Sequence, residues 1–476
     1  MCPAPANNGR RRAYALVLLA LVIGFGIRAA NVLVFRPSEV PPVGATSYTP
    51  KNPDALVLGG DALYYHEQAN ALADGDGYVD PYRWRNLHGD VRPSATHPPA
   101  YGTYLAMWSL IGVRSMTGHR MASVLLGLVT IVALAGAARR MAGDTAMVVT
   151  AFAAALYPGF WINDTMLLSE VMAQAAVACF LYAMVRVWER ASWQWVAAAG
   201  VAAGVATMTR NEQIVLFAVL LFILLFRRGE GAPADWATRL RYTAVAGAAG
   251  LVLIAPWVVR NLVTFQRTTV LTSATGAALS AASCDETYYG EMIGWYHDCF
   301  KGPFPDKGVD ANGLPIEVDS RGKEIDESVR DVEPMKQADA YIRSHLGRLP
   351  VVVAARVGRL WGWFRPGQTT GFEIRVESRG AWQSWSALGS LYLLEIAGVL
   401  GLVVMWRRRL PVAAMLALVG VATFGAAITF GVARYRSTAE VGLMLAATVG
   451  LTLLFTDGWG SRSPGSPDPV EDGEAA

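Results

Sequence analysis

Apolar residues gather in long blocks along this chain, and nothing else in the sequence restricts its fold so strongly. A helix crossing a hydrocarbon layer of ~30 Å needs about 20 mostly apolar residues. The first block, 13–35, is interrupted only by Arg28 and Asn31 and follows Arg10, Arg11 and Arg12. It is longer than the core of a secretory signal and lacks a small-residue cleavage site, so it reads as an uncleaved anchor. Further blocks occupy 121–134, 145–160, 166–187, 195–208, 214–226, 242–259, 388–406, 413–432 and 441–455, giving ten expected spans. Stretches 101–113 and 351–364, rich in aromatic and small residues, read as interfacial helices. The expected fold class is an all-α polytopic membrane protein.

Composition agrees with that reading. Of 476 residues, 53% are hydrophobic and only 17% charged, which excludes a disordered chain and argues against an ordinary soluble enzyme. A net charge of +3 gives no ground for a nucleic-acid partner. Arginines set the sidedness, because cytoplasmic loops collect them. Arg10–Arg12 precede the first span. Arg139/Arg140, Arg186/Arg190, Arg227/Arg228 with Arg239/Arg241, and Arg407–Arg409 follow every second span if there are ten. The expected organisation is a cytoplasmic tail over 1–12, a membrane domain over 13–455 with outer loops at about 36–118 and 264–384, and a cytoplasmic, disordered acidic tail over 456–476.

Charged groups near the bilayer are costly and therefore functional candidates. The outward joints hold mixed acids and bases: Asp61, His66, Glu67 and His97 in the first loop, then Asn163, Asp164 and Glu170, then Arg210, Asn211 and Glu212, then Arg260 and Asn261, then Arg434 and Arg436. Each taken singly reads as a snorkelling or solvated helix end. Five successive joints with such groups point to one polar site at the outer surface. Asp61 follows Gly59 and Gly60 and opens a segment with helical spacing, where it is either a helix cap or a carboxylate that accepts a proton from an attacking hydroxyl. His97 precedes two prolines that fix the start of a short helix. Tyr65 and His66 share the segment that Asp61 opens. A metal site built from Asp61, His66 and His97 stays open, although no HxxxH or HxH pair supports it. Arg260, Arg434 and Arg436 lie on the side where the positive-inside bias predicts few arginines, either as an anchor belt or as the fixed cations that a lipid phosphate needs.

Cys284 and Cys299 share the second outer loop, and an oxidising compartment favours a disulfide between them. The closed loop is worth ~3 kcal/mol in the chain-entropy account. The rest of that loop is a candidate flexible cap over the site, of undetermined fold.

Several stretches together resemble the GT-C superfamily of polytopic glycosyltransferases, in particular bacterial relatives of protein O-mannosyltransferases and of the lipid A aminoarabinose transferase. They are GGDALYYHEQANALADGDGY around Asp61, HPPAYGTYLAMW, RMASVLLGLVTIVALAGAARRMAGDTAMVVTAFAAALYP, SEVMAQ, TRNEQ, APWVVRN and RYRSTAE. The resemblance implies a GT-C-type helix bundle and a polyprenyl-phosphate-sugar donor. It also implies an extracytoplasmic active site and inversion at the sugar carbon. Asp61 matches the family's catalytic base, and Asp164 or Glu170 occupies the region of a second acid. Protein O-mannosyltransferases carry adjacent Asp-Glu at the base position, whereas this chain has Asp61-Ala62, so a glycan or lipid acceptor stands beside a protein one. No cofactor is implied with certainty, and divalent-metal dependence differs among relatives. The location implied is a bacterial plasma membrane. The competing readings are a transporter or lipid flippase, kept alive by Arg28 and Glu395 within expected spans, and a non-catalytic scaffold.

Overall fold

The computed structural model describes residues 6–42, 51, 55–57, 59–87 and 89–457. In chain order its helices are α1 (Ala6–Ala30), continued by a π-helical turn over Asn31–Phe35, α2 (Gly60–Asp74), α3 (Pro81–Asn86), α4 (Ala100–Leu110), α5 (Met116–Leu156), α6 (Pro158–Asn163), α7 (Glu170–Glu189), α8 (Trp193–Thr207), α9 (Val215–Phe226) and α10 (Trp236–Thr264). Then come α11 (Thr275–Ala281), α12 (Asp285–Tyr288), α13 (Glu327–Arg330), α14 (Val332–Ser344), α15 (Leu349–Leu360), α16 (Pro366–Arg375), α17 (Ala381–Arg407), α18 (Ala413–Ile428) and α19 (Ser437–Asp457). Among the described residues sheet is confined to two small pairs: β1 (Ser38–Glu39) runs parallel to β2 (Leu56–Val57), and β3 (Asp306–Val309) antiparallel to β4 (Pro315–Val318).

The expected apolar blocks fall mainly on helix, with 166–169 and 429–432 outside it. Among the described residues six helices are long and apolar enough to cross a bilayer, and two shorter apolar helices accompany them. Block 121–134 and most of block 145–160 lie in α5, which is two helices meeting at a kink where Ala142 leaves helical angles and Gly143 takes φ 80°; the end of the second block enters α6. Glycine tolerates that left-handed region without a Cβ penalty, so the break sits beside the Arg139/Arg140 pair without strain. Stretches 101–113 and 351–364 form α4 and α15. The tail expected over 1–12 is already helical from Ala6, and the acidic tail beyond Asp457 lies outside the described residues.

Helix packing follows from small residues. Lipid tails are as apolar as leucine, so association rests on close van der Waals approach rather than on the hydrophobic effect. Helices α17 and α19 cross at Gly401 and Gly450, where a Cβ on Gly450 would lie 2.2 Å from the Gly401 Cα. Helices α8 and α10 meet at Gly200, where a Cβ would lie 2.4 Å from the Ala246 carbonyl oxygen. Burial ranks the spans: 78% of the apolar window ending in α19 is inside the protein, against 17% in α10. Helix α19 is thus central, and α10 turns its Leu251, Val252, Val259 and Val263 outward.

The second hydrophilic loop is not a loose cap. It folds into α11–α16 with the β3–β4 hairpin, and Cys284 and Cys299 are joined by a disulfide. It grips the first loop through Arg92, which pairs with Asp310 at 2.5 Å and also with Glu324. Together the two loops cover the helix ends that carry the polar groups.

Candidate active site

Gly60 adopts φ 48° and turns the chain sharply into α2, so that Asp61 stands in the first helical turn. Tyr65 follows on the same face one turn later. The proline pair after His97 leads directly into α4 and fixes the approach of its imidazole. That ring packs edge-on against Tyr64 at 4.6 Å and tilted against Tyr65 at 5.2 Å, and its Nε2 lies 3.4 Å from the Asp61 Oδ1. On the other oxygen, Arg434 Nη1 donates to Asp61 Oδ2 at 2.6 Å. Arg434 sits in a 3₁₀ turn, Ala433–Arg436, that leads into α19.

From this pair a row of alternating charges extends across the helix ends. Arg434 Nε lies 3.6 Å from Glu377 and 3.8 Å from Glu170. Arg210 donates to Glu170 at 2.7 Å and to Glu212 at 2.7 Å. Tyr435 stands between the arginines, with the Arg210 guanidinium 4.8 Å over its ring. Glu170 is buried and fixes both guanidinium groups from behind. Asp61 stays 30% exposed, enough to meet a ligand. Burial pushes its carboxyl up, but Arg434 and His97 outweigh burial and hold it well below the usual carboxylate range.

Asp61, Arg434 and Arg210 face a cavity of about 510 Å³ shared with Tyr65, His97, Glu212 and Tyr435. One wall is apolar, built by Val421, Ala422, Gly425 and Ile428 of α18, and a ring of hydroxyls from Thr96, Thr209, Thr272 and Thr275 faces it. A second cavity of about 290 Å³ lies across the Asp61–Arg434 pair and is lined by Gly59, Gly60, Tyr296, Glu377 and Ser378. Both cavities share Asp61 and Arg434 as a wall.

Four of the residues expected at the site lie elsewhere. Asp164 is buried with Arg28 in a 2.5 Å ion pair, so tightly that a Cβ on Gly127 would meet its carboxylate. Arg436 is buried and donates to Glu440 at 2.6 Å and to the Leu360 carbonyl at 2.7 Å. The physical reason is helical phase: a 3₁₀ helix has three residues per turn, so residues two apart point in different directions, and only Arg434 faces the cavity. Arg260 is spent on the carbonyls of Ser94 at 3.0 Å and Tyr78 at 2.7 Å and stacks on Trp257. His66 turns away from Asp61, its Nδ1 3.0 Å from that of His119. Among the described residues no three His, Cys, Asp or Glu side chains converge as a metal site. Glu377 and Tyr435 are site residues that the sequence reading missed.

His66 carries a pH prediction. Burial, with His119 and Arg85 nearby, pushes its imidazole down to about 3 from an ordinary 6.5. The unfolded chain therefore takes up a proton below pH 6.5 that the folded chain refuses, and stability falls with acidity between those values. The loss at pH 5 is about 2 kcal/mol relative to neutral pH. The expected result is a thermal midpoint that drops between pH 7 and pH 5 and drops less in His66→Gln; equal drops in both would refute the assignment.

Residues 96–259 match the family model for dolichyl-phosphate-mannose-protein mannosyltransferases. The chain is similar in structure to the archaeal oligosaccharyltransferase AglB of Archaeoglobus fulgidus in complex with an inhibitory peptide and a dolichol-phosphate, at 12% identity and a TM-score of 0.51, over 94% of this chain and 51% of that one. The Archaeoglobus fulgidus oligosaccharyltransferase tethered to an acceptor peptide matches at 12% identity with a TM-score of 0.50, over 93% and 49%. ArnT from Cupriavidus metallidurans in the apo state matches at 18% identity with a TM-score of 0.38, over 95% and 78%. The chain thus spans about half the length of the oligosaccharyltransferases. No curated protein matches it. The fold is shared with the archaeal oligosaccharyltransferase, and it is the multi-span helical class expected from the sequence.

Proposed function

We propose that the protein is a membrane glycosyltransferase. It moves a sugar from a polyprenyl-phosphate carrier to an acceptor hydroxyl at the extracytoplasmic face of a bacterial plasma membrane. The observation that carries this reading is the single cavity that joins the Asp61 carboxylate, two guanidinium groups and an apolar helix wall. The prenyl chain lies along α18 toward the lipid, where each buried methylene contributes about 0.8 kcal/mol. Its phosphate takes Arg434 and Arg210, whose planar forks suit phosphate oxygens. The sugar meets the ring of threonine hydroxyls.

The acceptor reaches Asp61 from the smaller cavity. Its oxygen forms the new bond to the anomeric carbon while the carbon–oxygen bond to phosphate breaks. The hydroxyl proton passes to Asp61, and the prenyl phosphate departs as an anion held by arginine. A single displacement of this kind inverts the anomeric carbon. Asp61 is a poor base while paired with Arg434, because the guanidinium favours its ionised form. An arriving phosphate competes for Arg434, loosens that pairing and raises the basicity of Asp61, so that the base is activated when donor is present. Of the charges that kept transport in view, Arg28 is ion-paired with Asp164, and Glu395 accepts a hydrogen bond from the Trp363 indole at 2.9 Å.

The test is a panel of undecaprenyl-phosphate- and dolichyl-phosphate-linked mannose, glucose, N-acetylglucosamine and arabinose, offered to the purified protein in proteoliposomes with envelope extracts as acceptor. Consumption of at least one donor with release of prenyl phosphate is expected. Failure with every donor, together with no measurable binding of undecaprenyl phosphate, would sink the proposal.

A further inference from the structure

Glu327 opens the short helix α13 in the second outer loop, yet its carboxylate is occupied outside that helix. One oxygen accepts from the Ala95 amide at 2.5 Å and the Ser273 hydroxyl at 2.7 Å. The other accepts from the Ser94 hydroxyl at 2.9 Å and the Thr96 hydroxyl at 3.2 Å. The two strips it grips are themselves paired, since the Ser273 amide donates to the Ala95 carbonyl at 3.0 Å. Both strips belong to the cavity wall: Thr96, His97 and Pro98 come from one, Thr272, Ala274 and Thr275 from the other. Ser94, Ala95 and Ser273 are buried, so their polar groups have no water to fall back on.

Neighbouring acids of the same segment reinforce the grip. Asp331 accepts from the Gly276 and Ala277 amides at the start of α11, at 2.6 and 2.8 Å. Asp326 accepts from the Gln266 amide at 2.6 Å. On the far side of the first strip, Arg260 holds the Ser94 carbonyl. A carboxylate and a guanidinium thus hold Ser94 between them, three residues before His97.

We propose that Glu327 is a positioning residue: by bridging the Ser94–Thr96 strip to Ser273 it fixes the outer wall of the cavity and sets His97 against Asp61. The proposal rests on the site described above, but it concerns the wall rather than the phosphate. Glu327 touches neither Arg434 nor Arg210, so phosphate capture does not depend on it. Loss of the bridge frees both strips and leaves the arginines in place.

The experiment uses the full chain in nanodiscs with Glu327→Gln, the shorter carboxylate Glu327→Asp, and Glu317→Gln as a control in the same loop, where Glu317 pairs with exposed Arg330. Amide exchange over 94–98 and 272–276 is expected to rise at least ~fivefold in Glu327→Gln, with α5 and α19 unchanged, because the loss is local. Glu327→Asp is expected to fall between Glu327→Gln and the parent, and Glu317→Gln to match the parent. Affinity for undecaprenyl phosphate is expected to stay within about twofold of the parent, since the charge-assisted bonds to phosphate are intact. Parent-like exchange in both strips overturns the proposal. So does a rise that spreads to α5 and α19, which would mark Glu327 as a general support of the fold. These outcomes separate from the donor panel: absent sugar transfer with a local exchange change counts against the enzymatic reading and leaves the wall assignment standing.

Discussion

Replacing Asp61 with Asn is expected to lower sugar transfer by about 10³-fold, within the range assigned to a positioned proton acceptor. The amide keeps the size of the carboxylate, offers its one oxygen to Arg434 and turns its NH2 toward the His97 imidazole, so the fold is retained. What is lost is the proton acceptor at the junction of the two cavities. The same substitution removes a negative charge beside the proposed phosphate position and leaves Arg434 only a neutral oxygen in place of its charged 2.6 Å partner. Affinity for undecaprenyl phosphate is therefore expected to hold or to rise, while transfer collapses. Loss of transfer with loss of binding would instead mark Asp61 as a structural support. Transfer at the parental rate, in protein that binds undecaprenyl phosphate normally, would end its assignment as base.

This expected division between binding and chemistry follows from how the cavity is lined, and the lining shows what a sequence can disclose. Apolar blocks announced the helices because burial in lipid demands uniform apolarity, and the Arg139/Arg140 pair separated the two blocks between which α5 kinks. Asp61, His97, Arg210, Glu212 and Arg434 were recognisable as polar residues at successive helix ends, and the structure brings all five to one cavity. The direction in which a helix end faces was not legible. Arg434 and Arg436 look alike in sequence, as do Asp164 and Glu170, yet one of each pair is turned into a buried ion pair away from the cavity. Arg260 lies away from the cavity for a different reason: its partners are backbone carbonyls of the first loop, which no side-chain pattern reveals. Glu377 escaped notice because it lies in a stretch with no apolar periodicity, and only the folding of the second loop brings it to Arg434.

The contrast between Arg434 and Arg436 yields the second large expectation. Arg434→Ala removes the guanidinium that bridges Asp61, Glu377 and Glu170, and is expected to weaken undecaprenyl phosphate binding by about 10- to 100-fold, the worth of one or two charge-assisted hydrogen bonds. The loss exceeds the missing bonds alone, because Asp61, Glu377 and Glu170 then lose the cation between them, and Arg210 already pairs with Glu170 and Glu212. Arg434→Lys keeps the charge without the fork and is expected to fall between the two. Arg436→Ala acts through stability instead. It strands Glu440, which is 2% exposed, and breaking a buried pair from one side costs about 3–5 kcal/mol. Its thermal midpoint is expected to drop steeply, whereas the fraction that remains folded binds undecaprenyl phosphate as the parent does. Titration of both variants in nanodiscs, scored against folded protein, decides the matter: an Arg434→Ala affinity within twofold of the parent, or an Arg436→Ala affinity that falls as far, would remove Arg434 from its place at the phosphate.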